Sequence, residues 1–169
     1  MTQFKLRFDP TLIPELAGPG RYSFEEDTSA LDAGGRIREG QWARANLENI
    51  FEWKTRGRGR SRLLKNTDED IADALKLALM AKTDRAAVAV LTGLSGVGIP
   101  VASAILTAIY PERFTIIDVR ALEALSVDRA IITVDFYLDY LDACRQLARD
   151  NNVPLRTLDR ALWQWSKER

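Results

Sequence analysis

The chain has 169 residues, 46% of them hydrophobic, which suits one domain with a buried core. Its 24 basic and 24 acidic side chains cancel, so bulk charge recruits no polyanion and any nucleic-acid contact has to come from local arrangement. The absence of histidine excludes imidazole acid–base chemistry, imidazole metal sites and Ser-His-Asp triads, and a single cysteine, Cys144, excludes an internal disulfide or a four-cysteine cluster.

The first elements are irregular. Phe4 to Phe8 alternates like a short strand, but Pro10, Pro14 and Gly18-Pro-Gly20 interrupt it, and Gly34-Gly35 marks a further loop. Residues 1–38 therefore read as an irregular N-terminal extension, and 39–169 as a helical domain. From Gln41, the spacing of Trp42, Ala45, Leu47, Ile50 and Phe51 predicts an amphipathic helix with Trp42 and Phe51 in the core. Lys54 to Lys65 then carries six basic residues and no acidic one, with Gly57 and Gly59 making it a loop. Thr67-Asp-Glu-Asp70 opens the next helix, with acidic residues suited to its first turn. Asp84 is placed to cap a helix over 85–93. Tyr110 to Phe114 is a turn, and Thr115 to Ile117 a short buried extended piece. Helices follow over 120–125, 134–150 and 154–167, with Cys144 a small buried apolar residue. The expected fold is all-α, with six to eight helices. No apolar run is long enough to span a bilayer and no signal pattern opens the chain, so the expected compartment is the cytoplasm, without membrane contact.

The segment from Leu91 to Leu106 carries the most information. Leu91 and Leu94 close one helix, Gly96-Val97-Gly98 turns the chain, and Ile99-Pro100 opens a second helix whose inward face is Ala102, Ile105 and Leu106. Unpaired N–H groups at that helix start, around Gly96, Val97, Gly98 and Ile99, suit a phosphate oxygen. Asp118 follows Gly98 by twenty residues and opens a short helix. The pattern Leu91-x-x-Leu94-x-Gly96-Val97-Gly98-x-x-x-Ala102-x-x-Ile105-Leu106, followed by Asp118, resembles the helix-hairpin-helix superfamily of base-excision DNA glycosylases, over about residues 85 to 130.

The resemblance implies an all-α fold, DNA as partner, and Asp118 as the catalytic carboxylate that stabilises an oxocarbenium-like sugar and orients the attacking water. It also implies a monovalent cation, Na+ or K+, on the backbone carbonyls of Thr92, Leu94 and Val97. Bifunctional members place a lysine just after the second hairpin glycine; Pro100 stands near that point, so the expected reaction is monofunctional hydrolysis that leaves the strand intact. Val119-Arg120 replaces the Thr-His pair of many members, and with one cysteine no iron–sulfur cluster forms. Among the remaining candidates, Arg56, Arg58, Arg60 and Arg62 suit a phosphate backbone, and Trp53 offers a π-face for a flipped base. Three functions fit these residues: a monofunctional DNA glycosylase, a non-catalytic DNA-binding module, and a helical interaction protein in which Gly96-Val97-Gly98 is only a tight turn.

Overall fold

The computed structural model describes residues 2–169. Their regular structure is entirely helical: α1 (Ile13–Leu16), α2 (Glu25–Arg38), α3 (Arg44–Thr55), α4 (Arg60–Leu63), α5 (Asp68–Met80), α6 (Asp84–Thr92), α7 (Ile99–Ile109), α8 (Val119–Ala124), α9 (Val134–Asp150) and α10 (Leu155–Lys167). The expected all-α class holds. The number of helices exceeds six to eight through the single turns α1 and α4, which are too short to carry a periodic signal. Among the described residues no helix is long and apolar enough to cross a membrane.

Capping residues set several helix starts. Thr67 and Asp70 exchange reciprocal bonds of 3.0 and 2.8 Å at the start of α5, and Thr133 accepts from the Phe136 N–H at the start of α9. At α6 the cap is Thr83, which accepts from the Ala86 N–H at 3.2 Å, and not Asp84. Asp84 is instead drawn off by Arg113 and Arg145, at 2.6 and 2.8 Å.

The core is organised around α7, in which every residue from Ala102 to Ile109 is buried, and which packs against α2, α3 and α6. The opening segment departs from the sequence reading here. Residues 25–38 are helix α2, lying on α3 and α7, and its Ala30, Ala33 and Ile37 are fully buried. Gly34 is not a loop residue but the crossing point of α2 and α7. A Cβ there would lie 1.9 Å from the Ala108 carbonyl oxygen, so only glycine lets the two backbones approach this closely. Phe4 to Phe8 forms no strand; Lys5 and Arg7 donate instead to the Leu125 and Ala124 carbonyls at the end of α8.

Two further features position the groove described below. The buried run Phe114 to Ile117 has no strand partner, so side chains take up its polar groups. Tyr137 and Tyr140 of α9 donate to the Thr115 and Ile116 carbonyls at 2.9 and 2.7 Å. Ser103 of α7 accepts from the Ile117 N–H at 3.1 Å and donates to the Pro100 carbonyl at 2.7 Å. One hydroxyl thus ties the start of α7 to the residue before Asp118.

Behind the groove, α10 meets α2 through a buried ionic cluster. Asp27, fully buried, accepts from Arg156 at 2.7 Å and from Arg160 at 3.1 Å, while Arg156 also pairs with buried Asp159. Asp159, enclosed on all sides, is pushed up by burial against the opposing pull of Arg156.

Candidate functional site

The 93–98 turn between α6 and α7 is held from below. Gly96 has φ +81°, and a Cβ on it would come within 2.8 Å of the Leu63 nitrogen at the end of α4. It therefore needs glycine both for its conformation and for the close approach. Asn66, 8% exposed, clasps the same turn: its amide donates to the Ser95 and Leu63 carbonyls at 2.9 and 2.8 Å, and its carbonyl accepts from the Ser95 N–H at 2.8 Å. Gly98 differs. Its backbone is ordinary and extended, and a Cβ would meet nothing nearer than the Pro100 Cδ at 3.8 Å. The first intrahelical bond of α7 runs from the Ala102 N–H to the Gly98 carbonyl, so the Ile99 and Val101 N–H groups precede any helical acceptor.

The arginine run is only partly a loop. Arg56 ends α3 in the left-handed region (φ 52°), Gly57 and Gly59 follow at φ +82°, and Arg60 to Leu63 form α4. The turn sends three arginines one way and one the other. Arg56, Arg58 and Arg62 line a groove together with Gly96, Val97, Gly98 and Pro100. Arg60 does not line it; its guanidinium lies 3.9 and 3.8 Å from Glu48 and Glu52 on the outer face of α3.

The groove, about 930 Å³, also takes in Lys54, Arg120, Lys167, Trp163 and Asp118. Six of its lining side chains are cationic and one, Asp118, is a carboxylate. A smaller cavity of about 110 Å³ opens at its floor and shares Lys54, Arg56, Asp118, Trp163 and Lys167 with it. Its wall also includes Tyr22, Trp53, Arg156 and Asp159. Trp53, the stacking candidate, is half-buried there with the Arg156 guanidinium 5.6 Å from its ring centre. Trp163 carries Arg120 at 5.6 Å and Lys167 at 4.8 Å over its own ring and stands edge-on to Tyr22.

Asp118 is the N-cap of α8. Its Oδ1 accepts from the Ala121 N–H at 3.0 Å, and its Oδ2 accepts from the Lys54 ammonium at 2.8 Å. Each oxygen keeps a further lone pair. The side chain is 24% exposed, and Val119 beside it is 80% exposed. The sequence missed Lys54 and the α10 residues Trp163 and Lys167. Lys54 stands 64 positions from Asp118, and no spacing rule links them. Their only signals were a lysine at the head of the basic run and an aromatic pair in the last helix.

Of the three carbonyls considered for a monovalent cation, that of Thr92 ends α6 and that of Leu94 accepts from the Val97 N–H at 3.2 Å, with one lone pair remaining. Among the described residues no cluster of acidic or cysteine side chains has metal-binding geometry. Cys144 is fully buried, and burial pushes its thiol well up, so it is no nucleophile. The chain matches no family model, no curated protein and no solved structure.

Proposed function

We propose that the protein grips duplex DNA through a helix-hairpin-helix motif formed by α6, the glycine turn and α7, and releases a damaged or modified base by cleaving its N-glycosidic bond at Asp118. One observation carries the reading: a single groove gathers the exposed Gly98 turn, six cationic side chains and one carboxylate, with an aromatic-walled cavity beneath it.

Phosphate oxygens fit the Ile99 and Val101 N–H groups at the start of α7, with Arg58 and Arg62 lining the same groove. A Na+ or K+ on the Thr92, Leu94 and Val97 carbonyls would bridge turn and phosphate. A nucleotide turned out of the stack meets Trp53, Trp163 and Tyr22 around the cavity, which supply π-faces for the base. The sugar carbon then comes to lie over Asp118, whose negative charge opposes the positive charge that builds as the glycosidic bond breaks.

A second reading, a DNA-binding module without chemistry, draws support from the bonds Asp118 already makes. Both of its oxygens have partners, the Ala121 N–H and the Lys54 ammonium, as a purely structural cap would. Release of base from a panel of damaged duplexes separates the two. Asp118→Asn is expected to lower release by roughly 10²–10³-fold and to leave duplex binding unchanged. Asn caps a helix about as well as Asp, and a partly exposed ion pair contributes about 0–1 kcal/mol, so the variant stays folded. Release undiminished in the variant, or no lesion processed, leaves the binding module.

A further inference from the structure

The cavity under the groove has one polar atom that the fold leaves unused. Asp159 of α10 lines its wall and is 3% exposed. Its Oδ2 accepts from the Arg156 guanidinium, one turn earlier on the same helix, while no described residue donates to its Oδ1. A buried carboxylate oxygen without a donor costs stability, and a guanidinium can cover both oxygens in a bidentate pair. Arg156 is turned instead toward Asp27, to which its second amino group donates at 2.7 Å. Asp159 stays charged in this setting. With Asp27 it balances Arg156 and Arg160, and protonating it would leave an excess guanidinium charge in that cluster. Trp53, Trp163 and Tyr22 line the same cavity, and so does Asp118. An acceptor with a vacant lone pair thus stands among π-faces, in the cavity that Asp118 also borders.

We propose that Asp159 selects the base that enters the cavity by accepting a hydrogen bond from a ring N–H, and that the substrates are lactam lesions, in which a ring nitrogen that is an acceptor in the parent base carries hydrogen. The proposal rests on the base-release reading above. Deamination makes this change at N1 when adenine becomes hypoxanthine, and at N3 when cytosine becomes uracil. Oxidation of a purine at C8 makes it at N7. In each parent base a lone pair would face the carboxylate, and two acceptors repel when no proton lies between them. The site discriminates by that mismatch, because a buried polar group left unpaired penalises the ligand that fails to match it. The aromatic walls hold any base by its face, so they supply affinity and the Asp159 oxygen supplies the choice.

The test compares duplexes carrying hypoxanthine, uracil or 8-oxoguanine with partners in which the lactam oxygen is methylated, so that the same nitrogen keeps its lone pair. A duplex with ethenoadenine, which has no ring N–H, completes the panel. Base release and duplex binding are both read, with thermal melts as a check on folding. For each lactam released, the O-methyl partner is expected to be slower by about 10–100-fold, the worth of one hydrogen bond to a charged group. In Asp159→Asn the carboxamide oxygen takes the Arg156 bond and its NH2 faces the cavity, so the preference should vanish or reverse. If that variant unfolds, the comparison in the parent protein still decides. Equal release of lactam and O-methyl forms by the parent overturns the proposal and leaves the base-release reading standing. A preference undiminished in a folded Asp159→Asn, or release of ethenoadenine but of no lactam, does the same. Tighter binding of the lactam duplexes without release supports the N–H contact and favours the module without chemistry. No release and no preference in binding overturns both.

Discussion

The two glycines of the turn have different jobs, and substituting them one at a time separates fold from binding. Gly96→Ala forces a side chain into the left-handed region at φ +81°, which costs about 1–2 kcal/mol. The new Cβ also sits 2.8 Å from the Leu63 nitrogen, a backbone atom that cannot swing aside, so α4 has to shift. A total of roughly 2–3 kcal/mol in a domain of this size lowers Tm by about 4–12 °C. Gly98→Ala meets ordinary backbone and open space. Its reduced unfolded-state entropy, worth about 0.4–1 kcal/mol, is offset by the poorer capping of alanine at the start of α7, and Tm should stay within about 2 °C of the parent. Gly98→Val adds bulk at the same outward position, where the proposed phosphate would reach the α7 N–H groups. Thermal melts by circular dichroism, paired with fluorescence anisotropy on duplexes of unrelated sequence, read both effects. Gly98→Val is expected to melt near the parent and bind every sequence more weakly, because phosphate contacts carry no base information. A folded Gly98→Val that binds as tightly as the parent would falsify the phosphate role of the turn. A Gly96→Ala variant melting with the parent would refute the argument from its close approach to α4.

The arginines give a prediction with an internal control. Replacing Arg58 and Arg62 by alanine should reduce the slope of log affinity against log salt by about two units, one per phosphate contact. Arg60→Ala should leave it unchanged, since Arg60 lies on Glu48 and Glu52; equal effects from all three would refute the geometry. Acid stability follows from Asp84: burial by itself raises its carboxyl, but the bonds from Arg145 and Arg113 outweigh that and hold it below the ordinary aspartate value. A carboxyl depressed in the folded state stabilises above the unfolded value, near pH 4, and loses that contribution as pH falls through the folded one. Asp84→Asn should therefore cost about 1–2 kcal/mol at pH 7 by urea unfolding. Its deficit should shrink as pH falls below the ordinary aspartate value, and a deficit unchanged by acid would refute the ionic account.

The parts of this molecule readable from sequence are those set by local rules. Helix α9 begins and ends where the periodicity from Val134 to Asp150 places it, and Asp118 caps α8 as a carboxylate before a short helix should. The buried run before Asp118 was also legible, although the Tyr137, Tyr140 and Ser103 bonds that satisfy it were not. Where local rules failed, a distant partner had overridden them. Gly34-Gly35 looked like a loop because glycine lowers helix propensity by about 1 kcal/mol, yet the crossing with α7 requires that glycine inside a helix. Asp84 lost the capping role to its neighbour Thr83 because arginines 29 and 61 positions away engage it. Lys54 and Asp118 meet because α3 and α8 border the same groove, a fact of packing that no spacing encodes.

Net charge misled for the same reason. The 24 acidic side chains balance the 24 basic ones over the chain, but not within each local region. Asp27 and Asp159 are buried against Arg156 and Arg160, and Asp84 is held between Arg113 and Arg145. Glu48, Asp68, Asp135 and Asp128 each lie against an arginine outside the groove. These pairs cancel locally, and their fields die away within a screening length of about 8 Å at physiological salt. The groove is lined by Arg56, Arg58, Arg62, Arg120, Lys54 and Lys167, with Asp118 as its one carboxylate. A concave wall rich in one sign focuses its field outward, so the approach of a polyanion would be governed by that wall more than by the sum over the chain. The isoelectric point near 6.4 bears on solubility and is no argument against a DNA partner.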